Sequence, residues 1–153
     1  MKRVWVIGGL TAVATVVMSS ALLGMRGTTA SGEIKRGRQV YTANCATCHG
    51  DRAQGHADFG KTADGPFGLH PPPPHDATGH TWHHSDGTLY EIIRDGGQSA
   101  YGIPGFQSNM PAFGGRTSDE EIRSVLTYFK SLWGEKERSF QAEVTRNDQP
   151  SLP

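Results

Sequence analysis

Hydrophobic and polar positions along the chain separate an uncharged N-terminal stretch from a long polar part that carries clear helical patterns. Residues 4–25 contain no charged side chain and directly follow Lys2 and Arg3. A positive start and an apolar run direct a chain to a membrane, with about 7–15 apolar residues in a signal peptide and about 17–25 in a spanning helix. We therefore predict that residues 1–30 form a signal peptide or an N-terminal membrane anchor.

The strongest helical pattern runs from Asp119 to Trp133. Ser118 and the acidic residues after it supply an N-cap and a capping box, and Gly134 ends the pattern. Apolar residues recur with helical spacing at Ile122, Val125, Leu126, Phe129, Leu132 and Trp133.

Two further helices are predicted upstream. One covers residues 87–95, with Ser85 or Asp86 as its cap. The other covers residues 33–48 and contains Gly37, which costs about 1 kcal/mol relative to alanine inside a helix. Because no strand pattern and no internal repeat is present, we predict an all-α fold of three or more helices joined by long loops.

Domain organisation follows from these elements. We expect residues 31–134 to form one domain that follows the leader. Residues 135–153 are mostly polar and are predicted to be a C-terminal tail, part of which Phe140 and Val144 attach to the domain.

Charge differs between the leader and the rest of the chain. The full sequence has 15 basic and 15 acidic residues, and the leader holds three of the basic ones and no acid. The remaining 12 basic and 15 acidic residues give a net charge of −3. A nucleic-acid partner is excluded, because such binders neutralise phosphates with excess positive charge. We expect the domain to lie in the periplasm or on the outer face of the cytoplasmic membrane, soluble or associated with the membrane through residues 4–25.

Composition shows that this domain has little apolar material to bury. Only 35% of the residues are hydrophobic, and the chain contains 20 glycines and 9 prolines. A small domain with so thin a core needs an additional element that holds it together, such as a disulfide or a metal. The two cysteines of the chain, Cys45 and Cys48, are the candidates for this role.

Cys45, Cys48 and His49 form a C-x-x-C-H sequence, which is the attachment pattern of haem c. Two thiols at this spacing bond to the two vinyl groups of one haem, and the adjacent imidazole ligates the iron. A disulfide, a thiol oxidoreductase site and half of a zinc site are the competing interpretations. A zinc site requires a second ligand pair at similar spacing, and no further cysteine is present. A thioredoxin-like site requires a βαβ pattern, which the sequence lacks. We therefore predict one covalently bound haem c.

Met110 is the only methionine outside the leader. It lies in a glycine-rich loop, and Pro111 after it biases the backbone away from helix. No helical apolar stripe includes it. Its thioether is therefore our candidate for the second axial ligand of the iron.

Residues 32–133 resemble the class I monohaem cytochromes c of bacteria. The features that carry the resemblance, in the usual order, are residues 37–41, Cys45–His49, residues 86–96, Asn109–Pro111 and a last helix with Tyr128. The resemblance implies an α-helical fold around one haem, axial ligation by the histidine and the methionine, and one-electron transfer with redox partner proteins. It implies that Gly37 and Tyr41 meet Tyr128 where the first and last helices cross. It also implies a proline carbonyl that accepts the N–H of the proximal histidine. The candidates are Pro66 and Pro71 to Pro74.

Residues 70–84 depart from a minimal cytochrome, because they combine four consecutive prolines with five histidines. Imidazole suits copper and zinc, so a second metal site is one interpretation. Its candidate ligands are His70, His75, His80, His83 and His84. The other interpretation, which we prefer, is a loop over one haem edge in which Trp82 and His83 or His84 hydrogen-bond the haem propionates.

The function that these observations predict is that of an electron carrier, free or as a subunit of an oxidoreductase complex, and not an enzyme in its own right. Two alternatives use other parts of the chain. A haem protein with an open iron site for small molecules requires Met110 to be off the iron. A copper- or zinc-binding module requires the histidines of residues 70–84.

We predict that the haem-free chain is largely unfolded. Burial of apolar area stabilises a fold by about 25 cal/mol per Å², and haem supplies much of the apolar surface that this chain lacks. Far-ultraviolet circular dichroism of haem-free protein tests the prediction, and a native-like helical spectrum would contradict it.

Overall fold

The computed structural model describes residues 30–60, 71–101 and 107–148. The described part contains helices and turns and no strand, in agreement with the predicted all-α fold. Its elements are α1 (30–44), α2 (Ala46–His49), a 3-10 helix (Thr81–His83), α3 (Asp86–Asp95), α4 (Gly97–Tyr101), α5 (Asp119–Ser131) and α6 (Glu135–Asn147). The predicted leader lies outside these residues apart from residue 30, as do Pro66 and His70.

Contacts along the chain divide it into two units, residues 1–33 and residues 34–153. The second unit contains helices α2 to α6 and most of α1. None of the described helices is both long and apolar enough to cross a membrane.

Helices α1 and α5 cross at Gly37, as the resemblance implied. A Cβ atom added to Gly37 would lie 1.8 Å from the backbone oxygen of Ser124 and 3.0 Å from the Cβ of Tyr128. Only glycine therefore permits this approach. Tyr41, one turn further along α1, is fully buried, and its ring centroid lies 5.3 Å from that of Tyr128. Gly37 lowers the stability of α1 as a helix, and the close packing of α1 against α5 offsets this cost.

Side chains just before the first turns determine where α3 and α5 begin. The Ser118 hydroxyl accepts from the backbone N–H of Glu121, and the Glu121 carboxylate accepts from the N–H of Ser118. Ser85 caps α3 by accepting a backbone N–H of the first turn at 3.1 Å. Both helices begin within one residue of the prediction, because these caps are local in sequence. Helix α5 ends two residues before the predicted end at Trp133.

The helix predicted over residues 33–48 is interrupted at Cys45, so that α1 and α2 are separate helices. The Cys45 N–H still donates to the Tyr41 carbonyl at 2.8 Å. The side-chain amide of Asn44, however, donates to the Val40 carbonyl at 2.9 Å. A polar side chain that bonds a carbonyl one turn back competes with the helical pattern and favours a helix end.

Residues 135–147, which the sequence analysis assigned to a tail, form helix α6. Gln141 is 2% exposed, and its amide donates to Asp86 Oδ1 at 2.7 Å and to Thr145 Oγ1 at 3.0 Å. Lys130 of α5 donates to the other oxygen of Asp86 at 2.6 Å. Polar contacts such as these attach the helix to the domain. Its sequence has no strong apolar stripe, so the pattern of hydrophobic residues did not predict it.

We predict that Gly37→Ala lowers the free energy of unfolding of the haem-loaded protein by about 1–3 kcal/mol, because the added methyl group clashes with the Ser124 backbone. Chemical denaturation followed by circular dichroism measures the change. Gly32→Ala is the matched control in the same helix, since a Cβ there meets nothing within 4 Å. It should leave stability unchanged or raise it. Equal and small effects of both substitutions would show that the crossing is not tight.

Candidate haem site

Cys45 immediately precedes α2, and Cys48 lies within it. Both are free thiols, so the structure has no disulfide between them. Cys45 is half-buried against the hydrophobic core, whereas Cys48 is exposed. Burial raises the pKa of the Cys45 thiol to about 11, and the charge of Cys48 acts in the same direction. Because neither cysteine is in a disulfide, both sulfur atoms are available for covalent attachment.

His49 ends α2 and is 7% exposed. Its Nδ1 lies 3.0 Å from the carbonyl oxygen of Pro73. A carbonyl can only accept, so Nδ1 carries the proton and Nε2 keeps its electron pair. Burial lowers the pKa of His49, and the bond to Pro73 opposes this only in part. Burial therefore favours the neutral imidazole, in which the Nε2 electron pair is available to a metal.

Pro73 is one of the prolines proposed for this contact, and backbone hydrogen bonds hold its segment in place. The His56 N–H donates to the Pro72 carbonyl at 2.9 Å, and the His75 N–H donates to the Ala53 carbonyl at 2.7 Å. A Cβ added to Gly55 would lie 2.5 Å from the nitrogen of Pro74. The loop after α2 and residues 72–75 thus lie in direct contact.

Met110 lies in a segment that backbone hydrogen bonds attach to the end of α3 and the start of α4. The Gly97 N–H donates to the Met110 carbonyl at 3.2 Å, and the Phe113 N–H donates to the Ile93 carbonyl at 3.0 Å. Gly96 has a φ of +83°, and a Cβ there would lie 2.9 Å from the Met110 oxygen. The Met110 side chain is half-buried against the hydrophobic cluster that Cys45 also contacts.

Trp82, His83 and His84, the predicted propionate contacts, lie in and next to the 3-10 helix. The Trp82 indole N–H donates to the Gly79 carbonyl at 2.9 Å, so this donor is already engaged within its own turn. The Trp82 and His83 rings pack against Phe140 of α6, at centroid distances of 5.4 and 5.5 Å. The Phe140 attachment is as predicted, and the propionate contacts stay a prediction.

His75 belongs to the site, although the sequence analysis treated it only as one of a cluster of histidines. Its ring centroid lies 4.3 Å from that of His49 and 4.4 Å from that of Phe129. Its Nδ1 lies 2.8 Å from Thr81 Oγ1. Burial lowers the pKa of His75 well below its usual range, and the neighbouring His49 and His80 act in the same direction. The one signal in the sequence was its place two residues after Pro73.

His80, His83 and His84, the other histidines of this loop that the structure describes, do not form a metal site. Within the described ranges, no group of three or more His, Cys, Asp or Glu side chains is arranged to hold a metal ion. The His80 ring stacks on Phe59 at 6.1 Å and meets the edge of His84 at 5.5 Å. These contacts lend no support to a copper or zinc site in the loop.

The donors found here suit a covalent haem with two axial ligands. The chain offers two free thiols at the attachment spacing, a neutral buried imidazole with its Nε2 electron pair, and a half-buried thioether. In haem c, two cysteine sulfurs bond to the porphyrin, and imidazole and thioether groups are the usual ligands of the iron.

Comparisons with known proteins identify the family of the chain. The sequence model of the family described as Cytochrome c matches residues 34–133. Cytochrome c6 of Diacronema lutheri is 31% identical over 105 residues, which cover 67% of this chain and 100% of that protein. The cbb3-type cytochrome c oxidase subunit CcoP of Azospirillum sp. (strain B510) is 33% identical over 108 residues, which cover 69% of this chain and 31% of that subunit.

A dehydrogenase subunit is similar to the chain as well. The gluconate 2-dehydrogenase cytochrome c subunit of Pantoea cypripedii is 30% identical over 122 residues, which cover 76% of this chain and 23% of that subunit. The chain thus spans less than a third of the oxidase and dehydrogenase subunits. No solved structure gives a significant match. The chain therefore belongs to the cytochrome c family and carries one covalently bound haem c.

Proposed function

We propose that the protein is an extracytoplasmic one-electron carrier whose haem is bonded to Cys45 and Cys48 and whose iron is ligated by His49 and Met110. The observation that carries this proposal is the hydrogen bond between His49 Nδ1 and the Pro73 carbonyl at 3.0 Å. It fixes Nδ1 as a hydrogen-bond donor and leaves Nε2 to offer the electron pair that a metal requires.

The way in which Met110 is held supports its role as the second ligand. Its carbonyl accepts from Gly97 and its N–H donates to Ser108 Oγ at 3.2 Å, so the backbone fixes the residue. The thioether takes no part in this and lies half-buried against the core. Side chains that only fill a core are usually fully buried on a helix or strand, whereas this one is half-buried on a segment that belongs to neither.

When bound, the haem supplies an iron that alternates between Fe(III) and Fe(II). His49 and Met110 would hold the iron in both oxidation states, so electron transfer would require no ligand to leave. A thioether ligand favours the reduced iron and raises the potential relative to two histidines. Phe129, which is 3% exposed, and His75 exclude water from the side of His49. Exclusion of water also raises the reduction potential.

The partners that we propose are other redox proteins. Two of the relatives are named as subunits of an oxidase and of a dehydrogenase, and respiratory or dehydrogenase partners of this kind suit a carrier with one haem. Transient electron-transfer contacts are small and weak, which a net charge of −3 after the leader permits. We propose that residues 1–30 direct the haem domain, residues 31–134, across the membrane.

We predict that oxidised protein, made with haem-maturation machinery, shows the weak red absorption band of sulfur-to-iron charge transfer. Met110→Ala should abolish this band, lower the reduction potential and allow rapid carbon monoxide binding to the reduced protein, because the sixth position becomes open. Gln107→Ala, an exposed position of the same segment, is the control and should change none of the three.

Two results would contradict the proposal. A wild-type protein without the red band that binds carbon monoxide rapidly would indicate the open iron site. Copper or zinc bound in stoichiometric amount beside the iron would indicate the metal-binding alternative.

A further inference from the structure

We propose that His75 is a positioning residue for the proximal ligand: with its tautomer fixed by Thr81, it contacts the face of the His49 ring and sets the orientation of that ring at the iron. The proposal rests on the ligation of iron by His49 proposed above. His75 itself contributes no metal ligand in it.

Three aromatic rings form a row behind the metal-binding edge of His49. The His49 and His75 rings are 4.3 Å apart and inclined by 32°, and the His75 and Phe129 rings are 4.4 Å apart and inclined by 24°. Phe129 lies in the core, where the Tyr41 ring meets it at 5.8 Å and 78°. The row therefore ends on a fixed support, and His49 cannot turn towards this side.

Thr81 determines which nitrogen of His75 carries the proton. Thr81 is 3% exposed, and its hydroxyl donates its one proton to the Pro74 carbonyl at 3.1 Å. Towards His75 Nδ1, at 2.8 Å, the same oxygen can only accept. Nδ1 of His75 is therefore the protonated nitrogen, and the hydrogen bond holds the ring in one rotamer.

The backbone of His75 is fixed on both sides. Its N–H donates to the Ala53 carbonyl at 2.7 Å, and its carbonyl accepts from the Trp133 indole at 2.9 Å. Pro73, two residues earlier, holds His49 Nδ1. One short segment thus contacts the ligand twice, at a nitrogen in the plane of the ring and on the face of the ring.

These two contacts constrain different motions. The hydrogen bond to Pro73 fixes the position of Nδ1 but leaves rotation of the ring about that line. The face contact with His75 removes this rotation. Groups around a metal ligand orient it and tune the metal, and the plane of an axial imidazole determines how the unpaired electron of Fe(III) is distributed over the haem.

A residue that only filled the core here would not need an imidazole. Burying a polar ring is unfavourable unless it is hydrogen-bonded. Leucine or phenylalanine would fill the same space without ring nitrogens that need hydrogen-bond partners. The two roles make different predictions. Filling affects stability alone, whereas positioning also affects the magnetic properties of the haem and its potential.

The test uses full-length haem-loaded protein with Thr81→Val, Thr81→Ser, His75→Leu and His75→Phe. We measure the hyperfine-shifted haem methyl resonances of the oxidised protein, the reduction potential and the stability to denaturant. Thr81→Val should change the pattern of methyl shifts, and Thr81→Ser, which keeps the hydroxyl, should retain the wild-type pattern. His75→Leu should change the pattern most and shift the reduction potential, because the ring that orients the His49 imidazole is lost. His75→Phe should give a smaller change.

Wild-type methyl shifts and potential in both Thr81→Val and His75→Leu, with only stability reduced, would overturn the proposal. If His75→Leu yields no haem-loaded protein, the Thr81 pair decides alone, since valine and serine differ there in the hydroxyl. The red absorption band should persist in all four variants. Its absence from the wild-type protein would instead contradict the proposed axial ligation.

Discussion

The hydrogen bond between His49 and the Pro73 carbonyl joins two segments that are 24 positions apart in the chain, and much of the fold keeps its two ends in place. At one end, the Tyr41 hydroxyl of α1 donates to the Gly50 carbonyl at 2.6 Å, directly after the histidine. At the other end, Trp133 follows α5 and donates to the segment that contains Pro73. The crossing of α1 and α5 therefore helps to position the segment of His49 relative to the segment of Pro73.

The two proposed ligands are held in different ways. His49 is oriented through its side chain, by a carbonyl at one nitrogen and by a second ring on its face. Met110 is positioned through its backbone, and its thioether has no polar partner to lose. This difference agrees with their chemistry. An imidazole has a tautomer and a ring plane that must be chosen, whereas a thioether needs only to be brought close.

Features that depend on neighbouring residues could be predicted from the sequence. The attachment motif, the caps at Ser85 and Ser118 and the crossing at Gly37 each follow from short patterns, the last with the help of a family resemblance. Helix α6 and the packing of His75 between His49 and Phe129 could not be predicted, because both rest on contacts between residues far apart in the chain. Gln141 bonds Asp86, 55 positions away, and no apolar periodicity reports such a contact.

Helix α6 lies beyond the part of the chain that matches the cytochrome c family, which ends at residue 133. Its buried Gln141 nevertheless shares the Asp86 carboxylate with Lys130, and Asp148, directly after the helix, accepts from the cap residue Ser85. The boundary of the family and the boundary of the folded unit are therefore different places. A truncation at the family boundary would leave the start of α3 with an ion pair whose buried amide neighbour is missing, so recombinant forms and domain fusions should retain the chain through Asp148.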